Sequence, residues 1–242
     1  MSIAPLNTTT LCMPYYENPN MLEMQLRKMS ELPADIRGAF KLILVDDGST
    51  RTPAQPVVER ARPGGLKLSL YRMDIDLRWG QDVCRNVAAS QADAEWLLMT
   101  DIDHIVPEPT WERVLFHPLD KNTAYGFERR SGPNVSPRHS HQNSWLLTRA
   151  MFDACGGYDE RFAGWYGTDG DFQRRLRQFA EFRVLREHLV EITPDMVEDA
   201  NTRHYTRKTR EDNEAIARIK AERAKSQHPE PLRGTFPWHR IF

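Results

Sequence analysis

The chain has 242 residues, of which 40% are apolar and 28% charged, and its formal net charge is −1. This composition is typical of a globular protein with a sizeable core, and the near-neutral charge excludes a general electrostatic attraction to nucleic acids or anionic membranes. Charge is unevenly distributed, because residues 201–242 carry ten Lys/Arg and five Asp/Glu. Two interpretations of this basic tail stay open: a solvated helix face, or a patch that faces a phosphate or an acceptor.

Three cysteines, Cys12, Cys84 and Cys155, stand far apart and form no CxxC pair. The sequence therefore indicates neither a disulfide framework nor a thiolate zinc site. The N-terminal residues lack the basic start and apolar centre of a signal peptide, and no apolar run approaches the ~20 residues of a membrane span. We expect a cytoplasmic protein without a membrane span.

Strand and helix patterns alternate in the first part of the chain. In chain order they predict a strand at 8–13, a helix from Pro19 through Met29, a strand at 40–45, a helix at 53–62, a strand at 66–73, a helix at 80–91 and a strand at 95–100. Strands separated by short helices predict a mostly parallel α/β sheet with helices on both faces. Ligands bind such sheets at the carboxyl ends of the strands, so residues 15–17, 46–49 and 101–104 should share one rim.

The second part of the chain is less regular. Residues 129–142 are rich in Pro, Gly, Ser and His and predict a long loop, of the kind that is functional or disordered. After it the patterns predict a strand at 145–148, a helix at 149–155, a helix from Asp169 or Gly170 to Gln178, and a charged helix that runs from a capping box at 209–212 to about Lys225.

Two motifs stand at predicted strand ends. The first is LILVDDGST at 42–50, where a carboxylate can accept the imide N–H of a uracil base and a Gly-Ser turn lets the backbone approach it; the same residues are also ordinary turn formers. The second is EWLLMTDID at 95–103. Its Asp101 and Asp103 point the same way because side chains alternate along a strand, and paired carboxylates suit a hard cation. A solvated acidic turn is the alternative interpretation.

Two further motifs follow. GGYDERFAGWYGTDGDF at 156–172 contains an aromatic-glycine approach to Asp169 and Asp171 at a helix start, where simple capping is the alternative role. Helix N-terminal amides are expected to favour the ionised form of Asp169. A Thr-Arg-His segment ends at His204, which is either a metal ligand or a structural histidine.

These four motifs, in this order over roughly residues 8–205, resemble GT-A fold glycosyltransferases of family 2. The third and fourth resemble the β-1,4-galactosyltransferase and polypeptide N-acetylgalactosaminyltransferase group. Two positions depart from the pattern: Glu17 stands where many family 2 members carry Asn, and Thr168 replaces the first of two adjacent motif acids. The resemblance implies one catalytic domain over 1–205, with a nucleotide-sugar half (1–105) merged with an acceptor half (106–205), followed by a basic helix and tail (206–242).

The resemblance also implies a reaction: inverting transfer of a sugar from a nucleotide-sugar, expected to be a UDP-sugar, to an acceptor hydroxyl. Asp169 would be the general base, and Asp171 would support the site through a hydrogen bond to the acceptor or to a basic side chain. Asp103 and His204 would hold Mn²⁺ or Mg²⁺ together with the diphosphate, with His104, His139 and His141 as rival ligands. The donor would be held by Pro14, Tyr15, Tyr16, Glu17, Asp46 or Asp47, Arg85, Asp101, Ile102 and Trp165.

Two other functions are alternatives to this one. A sugar-phosphate nucleotidyltransferase would carry a Gly-rich loop with Arg and Lys after the first strand, where this chain reads MPYYENPN. A non-catalytic nucleotide or glycan binder would not need both Asp103 and Asp169. The sequence leaves the oligomeric state and the acceptor open, the latter among a glycan, a small molecule, a lipid-linked sugar, a protein and a modified nucleic-acid base.

Overall fold

The computed structural model describes residues 4–131, 141–200, 208–228 and 230–242. These residues form a mixed nine-stranded sheet with helices on both faces. The strands are β1 (Thr9–Tyr15), β2 (Phe40–Asp46), β3 (Lys67–Met73), β4 (Trp96–Met99), β5 (His104–Ile105), β6 (Thr123–Arg130), β7 (Trp145–Thr148), β8 (Glu181–Glu191) and β9 (Trp238–Arg240). The helices are α1 (Pro19–Glu31), α2 (Ala34–Ala39), α3 (Ala54–Ala61), α4 (Gln81–Gln91), α5 (Glu108–Phe116), α6 (Arg149–Ala154), α7 (Asp169–Leu176) and α8 (Arg210–Lys225).

The first four strands form the parallel part of the sheet, in the order β3-β2-β1-β4. The predicted α/β class with a largely parallel sheet is therefore confirmed. Tyr15 at the end of β1 pairs with Asp46 at the end of β2, and Cys12 pairs with Met99 at the end of β4. The carboxyl ends of these strands consequently meet at one edge of the sheet, where the chain continues into polar segments.

Side chains along β1 alternate between two cores, one on each face of the sheet. Leu11, Met13 and Tyr15 belong to the core that packs against α1, α3 and α5. Cys12 belongs to the core that packs against α4, α6 and α7. This alternation places the Tyr15 ring inside the protein, where its hydroxyl donates a hydrogen bond to the backbone carbonyl of Thr52.

The sheet continues past β4 through β7, β6, β8 and β5, with parallel and antiparallel pairs. The predicted loop at 129–142 is wrong at its start, because β6 extends to Arg130; residues 132–140 lie outside the described residues. Strand β8 was not predicted. Its segment EFRVLREHLVE lacks strict alternation of apolar and polar residues: Leu185 and Leu189 are the buried residues, while the adjacent Val184 is exposed.

The basic tail contributes to both the sheet and its cover. Strand β9 pairs antiparallel with β3, and the Trp238 ring packs edge-on against Tyr71 at a centroid distance of 5.5 Å. Helix α8 begins at the predicted capping box, in which Thr209 and Asp212 exchange hydrogen bonds. Most of α8 is exposed, as a solvated helix should be, apart from three buried residues that include Asp212. In the described parts of the chain, no helix has the length and apolarity needed to cross a membrane.

Candidate active site

A cleft of about 1130 Å³ opens at the edge where β1, β2 and β4 end. This volume suits a ligand of nucleotide size. Eight of the predicted site residues line it: Pro14, Tyr16, Glu17, Asp47, Asp101, Ile102, Asp103 and Asp169. Tyr15, Asp46, Arg85, Trp165 and Asp171 do not line the cleft, and His204 and His139 lie outside the described residues.

The two adjacent aspartates after β2 have different environments. Asp46 accepts hydrogen bonds from the backbone amides of Ser49 and Ala54, both at 2.8 Å, and pairs with Arg72 at 3.2 Å, so its carboxylate shapes the turn. Asp47 accepts from the Gly80 amide at 3.0 Å, while its buried Oδ1 has no hydrogen-bond partner among the described residues. Burial raises the pKa of Asp47 well above its usual range. Of the two, Asp47 is the residue at the cleft.

Gly80 is where the start of α4 meets the Asp47 carboxylate. A Cβ at this position would lie 2.0 Å from Oδ1 of Asp47. Glycine is therefore required for the close approach that lets its amide hydrogen-bond the carboxylate. This contact fixes Asp47 against the start of α4 at the wall of the cleft.

The Glu17 carboxylate is hydrogen-bonded to the loop that follows β2. It accepts hydrogen bonds from the backbone amides of Thr50, Arg51 and Thr52 at 2.7–2.8 Å. Burial opposes ionisation, but these amides and the Thr52 hydroxyl hold the pKa of Glu17 below its usual range. Glu17 also adopts φ 53°, which is unusual for a residue with a side chain. Its carboxylate thus ties together two loops of the cleft that Glu17 itself lines, and the contact of Glu17 with a nucleoside stays a prediction.

Asp101 is held from behind by Arg85, which lies fully buried on α4. The Arg85 guanidinium donates to Oδ1 of Asp101. On the other side, Asn143 Nδ2 lies 3.4 Å and His141 Nε2 lies 3.7 Å from Oδ2. Arg85 therefore acts on the cleft through Asp101. The structure places the Arg85 side chain behind Asp101 and not in the cleft, where the predicted contact with a donor would require it.

Asp103 lies on the cleft side of the same turn, with 38% of its side chain exposed. Its Oδ1 is 2.6 Å from Nδ1 of the buried His104. Burial acts against ionisation, but the neighbouring His104 lowers the pKa of Asp103 to about 2. The same carboxylate outweighs burial at His104 and raises the pKa of that imidazole. Asp103 is consequently an ionised carboxylate facing the cleft.

A divalent cation at Asp103 needs further oxygen or imidazole ligands. Burial lowers the pKa of His141, so its imidazole is neutral and able to bind a metal. The described residues contain no cluster of three or more His, Cys, Asp or Glu side chains arranged to hold an ion. Among the described residues, the chemistry fits a cation that takes the Asp103 carboxylate and the neutral His141 imidazole, with further ligands from a diphosphate or water.

Asp169 is the first residue of α7, and its Oδ1 is buried without a hydrogen-bond partner in the described structure. Burial and the nearby Asp82 raise its pKa to about 7. The predicted stabilisation of the ionised form by helix amides is therefore outweighed by burial and by a like charge. A carboxyl group that titrates near neutrality can both accept and release a proton at physiological pH.

Asp171 points away from the cleft into a cluster of arginines. Arg174 and Arg175 of the same helix and Arg223 of α8 all hydrogen-bond its carboxylate, with Arg223 Nη1 at 2.9 Å. Although Asp171 is buried, these cations lower its pKa to about 2. Asp171 fastens α7 to α8 through basic side chains, which is one of the two forms of support that the sequence suggested, and it does not line the cleft.

Helix α8 also reaches the wall of the cleft, through a residue that the sequence motifs did not single out. The fully buried Asp212 accepts hydrogen bonds from the Tyr166 amide and from Arg78, at 3.2 Å each. Arg78 lines the cleft and lies over the ring of Trp165, 5.8 Å from its centroid. The capping box predicted that Asp212 is hydrogen-bonded, but only the packing of α8 shows that Asp212 also binds Arg78.

Comparison with solved structures identifies the fold. The chain superposes on S. aureus TarS 1–349 in complex with UDP-GlcNAc with a TM-score of 0.64, at 15% identity over 91% of this chain and 67% of that one. It superposes on the mannosyltransferase PcManGT from Pyrobaculum calidifontis, in complex with GDP-Man and Mn²⁺, with a TM-score of 0.58. That match has 20% identity and covers 80% of this chain and 58% of the other. At these identities the likeness establishes the GT-A fold.

Sequence comparison identifies the family. No curated protein matches the chain. The profile of the family described as Glycosyl transferase family 2 matches residues 10–196, which span all three strand ends of the cleft together with Asp101, Asp103 and Asp169. Because this match extends over most of the sequence, the chain belongs to glycosyl transferase family 2.

Proposed function

We propose that the protein transfers a sugar from a UDP-sugar to an acceptor hydroxyl with inversion at the anomeric carbon. The observation that carries the proposal is the single cleft into which Asp47, Asp103 and Asp169 all open. These three carboxyl groups differ in pKa and in hydrogen bonding, and each environment suits a different part of such a reaction.

Asp47 is assigned to the nucleobase. Its unpartnered, buried Oδ1 can accept the imide N–H of uracil, which would satisfy an atom that is otherwise costly to bury. Guanine also offers a ring N–H, so the assignment needs support from elsewhere. It comes from TarS, whose structure contains UDP-GlcNAc, while PcManGT with GDP-Man represents the alternative donor.

Asp103 is assigned to a divalent cation, Mn²⁺ or Mg²⁺, with His141 and His204 as possible further ligands. The bound cation would neutralise the diphosphate as it leaves. The neighbouring His104 keeps the Asp103 carboxylate ionised and oriented. PcManGT, which has the same fold, was solved with Mn²⁺.

Asp169 is assigned as the general base. It takes the proton of the acceptor hydroxyl as that oxygen bonds to the anomeric carbon and the bond from this carbon to the diphosphate breaks on the opposite face. A base whose pKa lies near neutrality is effective in such a step, with a contribution of ~10²–10⁴-fold. Its place on the wall beside Asp101 sets the base close to where the donor sugar would lie.

The proposal is tested by slow donor hydrolysis, in which water replaces the unidentified acceptor. The purified chain is incubated with UDP-, GDP-, CDP- and TDP-sugars, each with Mn²⁺, and release of the nucleoside diphosphate is followed. Release from UDP-sugars above the rates with the other donors is the expected result. Release of a nucleoside monophosphate or of pyrophosphate would indicate a different enzyme class, and no turnover with any donor, together with no UDP binding, would refute the proposal.

A further inference from the structure

Asp82 is a buried carboxylate that no motif singled out. It lies in the first turn of α4 and is 2% exposed. Its Oδ2 accepts a hydrogen bond from the Thr168 hydroxyl at 2.5 Å, and its Oδ1 is 3.6 Å from Nη1 of Arg85. Thr168 immediately precedes Asp169, so α4 delivers a second carboxylate to the start of α7 from behind the cleft.

The Thr168 hydroxyl hydrogen-bonds to Asp82 instead of capping its own helix. Thr168 occupies the N-cap position of α7, where a threonine hydroxyl usually accepts from an amide of its own helix. Its side chain makes no such cap and is turned to Asp82 instead. Thr168 also stands where the resembled acceptor motif has an acid. The structure therefore places a carboxylate from α4 beside the position at which this chain lacks one.

We propose that Asp82 is a positioning residue that supplies this missing negative charge and thereby controls whether Asp169 carries a proton. This inference rests on the proposed role of Asp169 as the base. Asp82 does not line the cleft, so it would act on Asp169 and not on a ligand.

The charges around Asp169 support this assignment. Asp82 and Arg85 face it from α4, Asp101 faces it from the turn after β4, and Tyr158 and Tyr166 face it from the segment before α7. Of these groups, the two aspartates repel the ionised form of Asp169, and Arg85 opposes them.

When Asp82 and Asp169 carry one proton between them, we assign that proton to Asp169. Burial raises the pKa of Asp82 as well, but Arg85, the Thr168 hydroxyl and the amides at the start of α4 all favour its negative charge. In both carboxyl groups Oδ1 is buried without a hydrogen-bond partner in the described structure, so the difference between them is the Thr168 hydroxyl that Asp82 holds through Oδ2. The ionised Asp82 then acts on Asp169 as a like charge, which raises the pKa of its neighbour.

The test measures the protonation of Asp169 without using activity. The stability difference between wild type and Asp169→Asn is measured from pH 4 to pH 9 by urea unfolding. A carboxyl group with a raised pKa makes this difference change with pH up to that pKa and stay constant above it. The end of the change should lie near pH 7 in the wild-type background. With Asp82→Asn in both proteins it should lie lower by about one pH unit or more.

Controls separate a charge effect from a folding effect. Asp93→Asn makes the same substitution at an exposed position just after α4, and it should leave the end point unchanged. If Asp82→Asn does not fold, Thr168→Val serves instead; loss of the hydroxyl raises the pKa of Asp82, so the end point should again fall. An end point that stays near pH 7 without the Asp82 charge, or without the Thr168 hydroxyl when that variant is used, overturns the inference.

Donor hydrolysis distinguishes this inference from the proposed function. Where Asp169 is the base, the acid limb of the pH profile should move to lower pH in Asp82→Asn by the same amount as the stability end point. If Asp169→Asn hydrolyses the donor at the wild-type rate, the proposed base is wrong, yet the stability measurement still decides whether Asp82 controls the proton on Asp169.

Discussion

Replacing Asp169 by Asn should reduce sugar transfer while making the protein more stable at alkaline pH. Asn nearly preserves the shape of the side chain and can still occupy the first turn of α7, but it cannot take a proton from an acceptor. We expect transfer to fall by ~10²-fold or more, with little change in UDP or Mn²⁺ affinity. The gain in stability arises because the wild-type carboxylate is ionised in a buried site beside Asp82.

The size of this gain follows from the pKa of Asp169, which rises from 3.8 to about 7 on folding. Below pH 4 the group is protonated in both the folded and the unfolded chain, so it contributes no difference. Between pH 4 and pH 7 the folded chain retains a proton that the unfolded chain has lost, and wild-type stability falls; above pH 7 the loss is complete. One pKa unit corresponds to ~1.4 kcal/mol, which sets an upper limit of roughly 4 kcal/mol.

Solvent at the cleft surface reduces this limit, and we expect the Asn variant to gain about 2 kcal/mol at pH 8, or ~4–8 °C in Tm. Thermal unfolding at pH 4.5 and pH 8, with donor hydrolysis at pH 8, measures both effects. Asp171→Asn is the matched control. It breaks the cluster formed with Arg175 and Arg223, so it should lower stability by about 3 kcal/mol and should reduce turnover much less than Asp169→Asn does.

Two results would refute this reasoning. If the Asp169→Asn protein turns over donor at the wild-type rate, Asp169 is not the base and only occupies the start of α7. An unchanged Tm difference between pH 4.5 and pH 8 would show that the Asp169 carboxyl group does not titrate in this window.

Four other outcomes are expected. EDTA should abolish donor hydrolysis, and Mn²⁺ should restore it better than Mg²⁺ because an imidazole ligand favours transition metals. Asp103→Asn should weaken Mn²⁺ binding, measured by calorimetry, by at least ~10-fold. Full activity in EDTA would contradict the cation assignment. In the presence of Mn²⁺, calorimetry should rank UDP above GDP and ADP, and tighter GDP binding would refute the base pocket. Glu17→Ala should lower stability by about 2–4 kcal/mol and weaken UDP binding, because three amides lose their acceptor; unchanged urea unfolding would show that the two loops do not depend on it. Asp212→Ala should lower stability by about 3 kcal/mol and raise the donor KM more than it lowers kcat, since Arg78 loses its buried partner; an unchanged KM would exclude Arg78 from donor binding.

The sequence by itself determined the parallel half of the sheet and the position of the cleft. Short apolar runs and helical spacing are local patterns, so β1 to β4 and the helices α1, α3 and α4 could be predicted close to their observed bounds. Parallel strands end at a common edge, which is why the sequence alone predicts that Asp47, Asp101 and Asp103 lie together. The start of α8 could be predicted for the same reason, since a capping box is complete within four residues.

The tertiary structure alone decided what each carboxyl group does. Glu17 and Asp171 resemble site residues in the sequence. In the structure, backbone amides about 35 residues away hydrogen-bond the Glu17 carboxylate, and Arg223, 52 residues away, hydrogen-bonds the Asp171 carboxylate. The pKa of Asp169 depends on burial and on Asp82, which is separated from it by most of α4, the four strands β4 to β7 and the helices α5 and α6. Burial and proximity to charge arise only when segments distant in the chain pack together, so a motif can identify a carboxylate at a helix start but cannot tell whether it carries a proton.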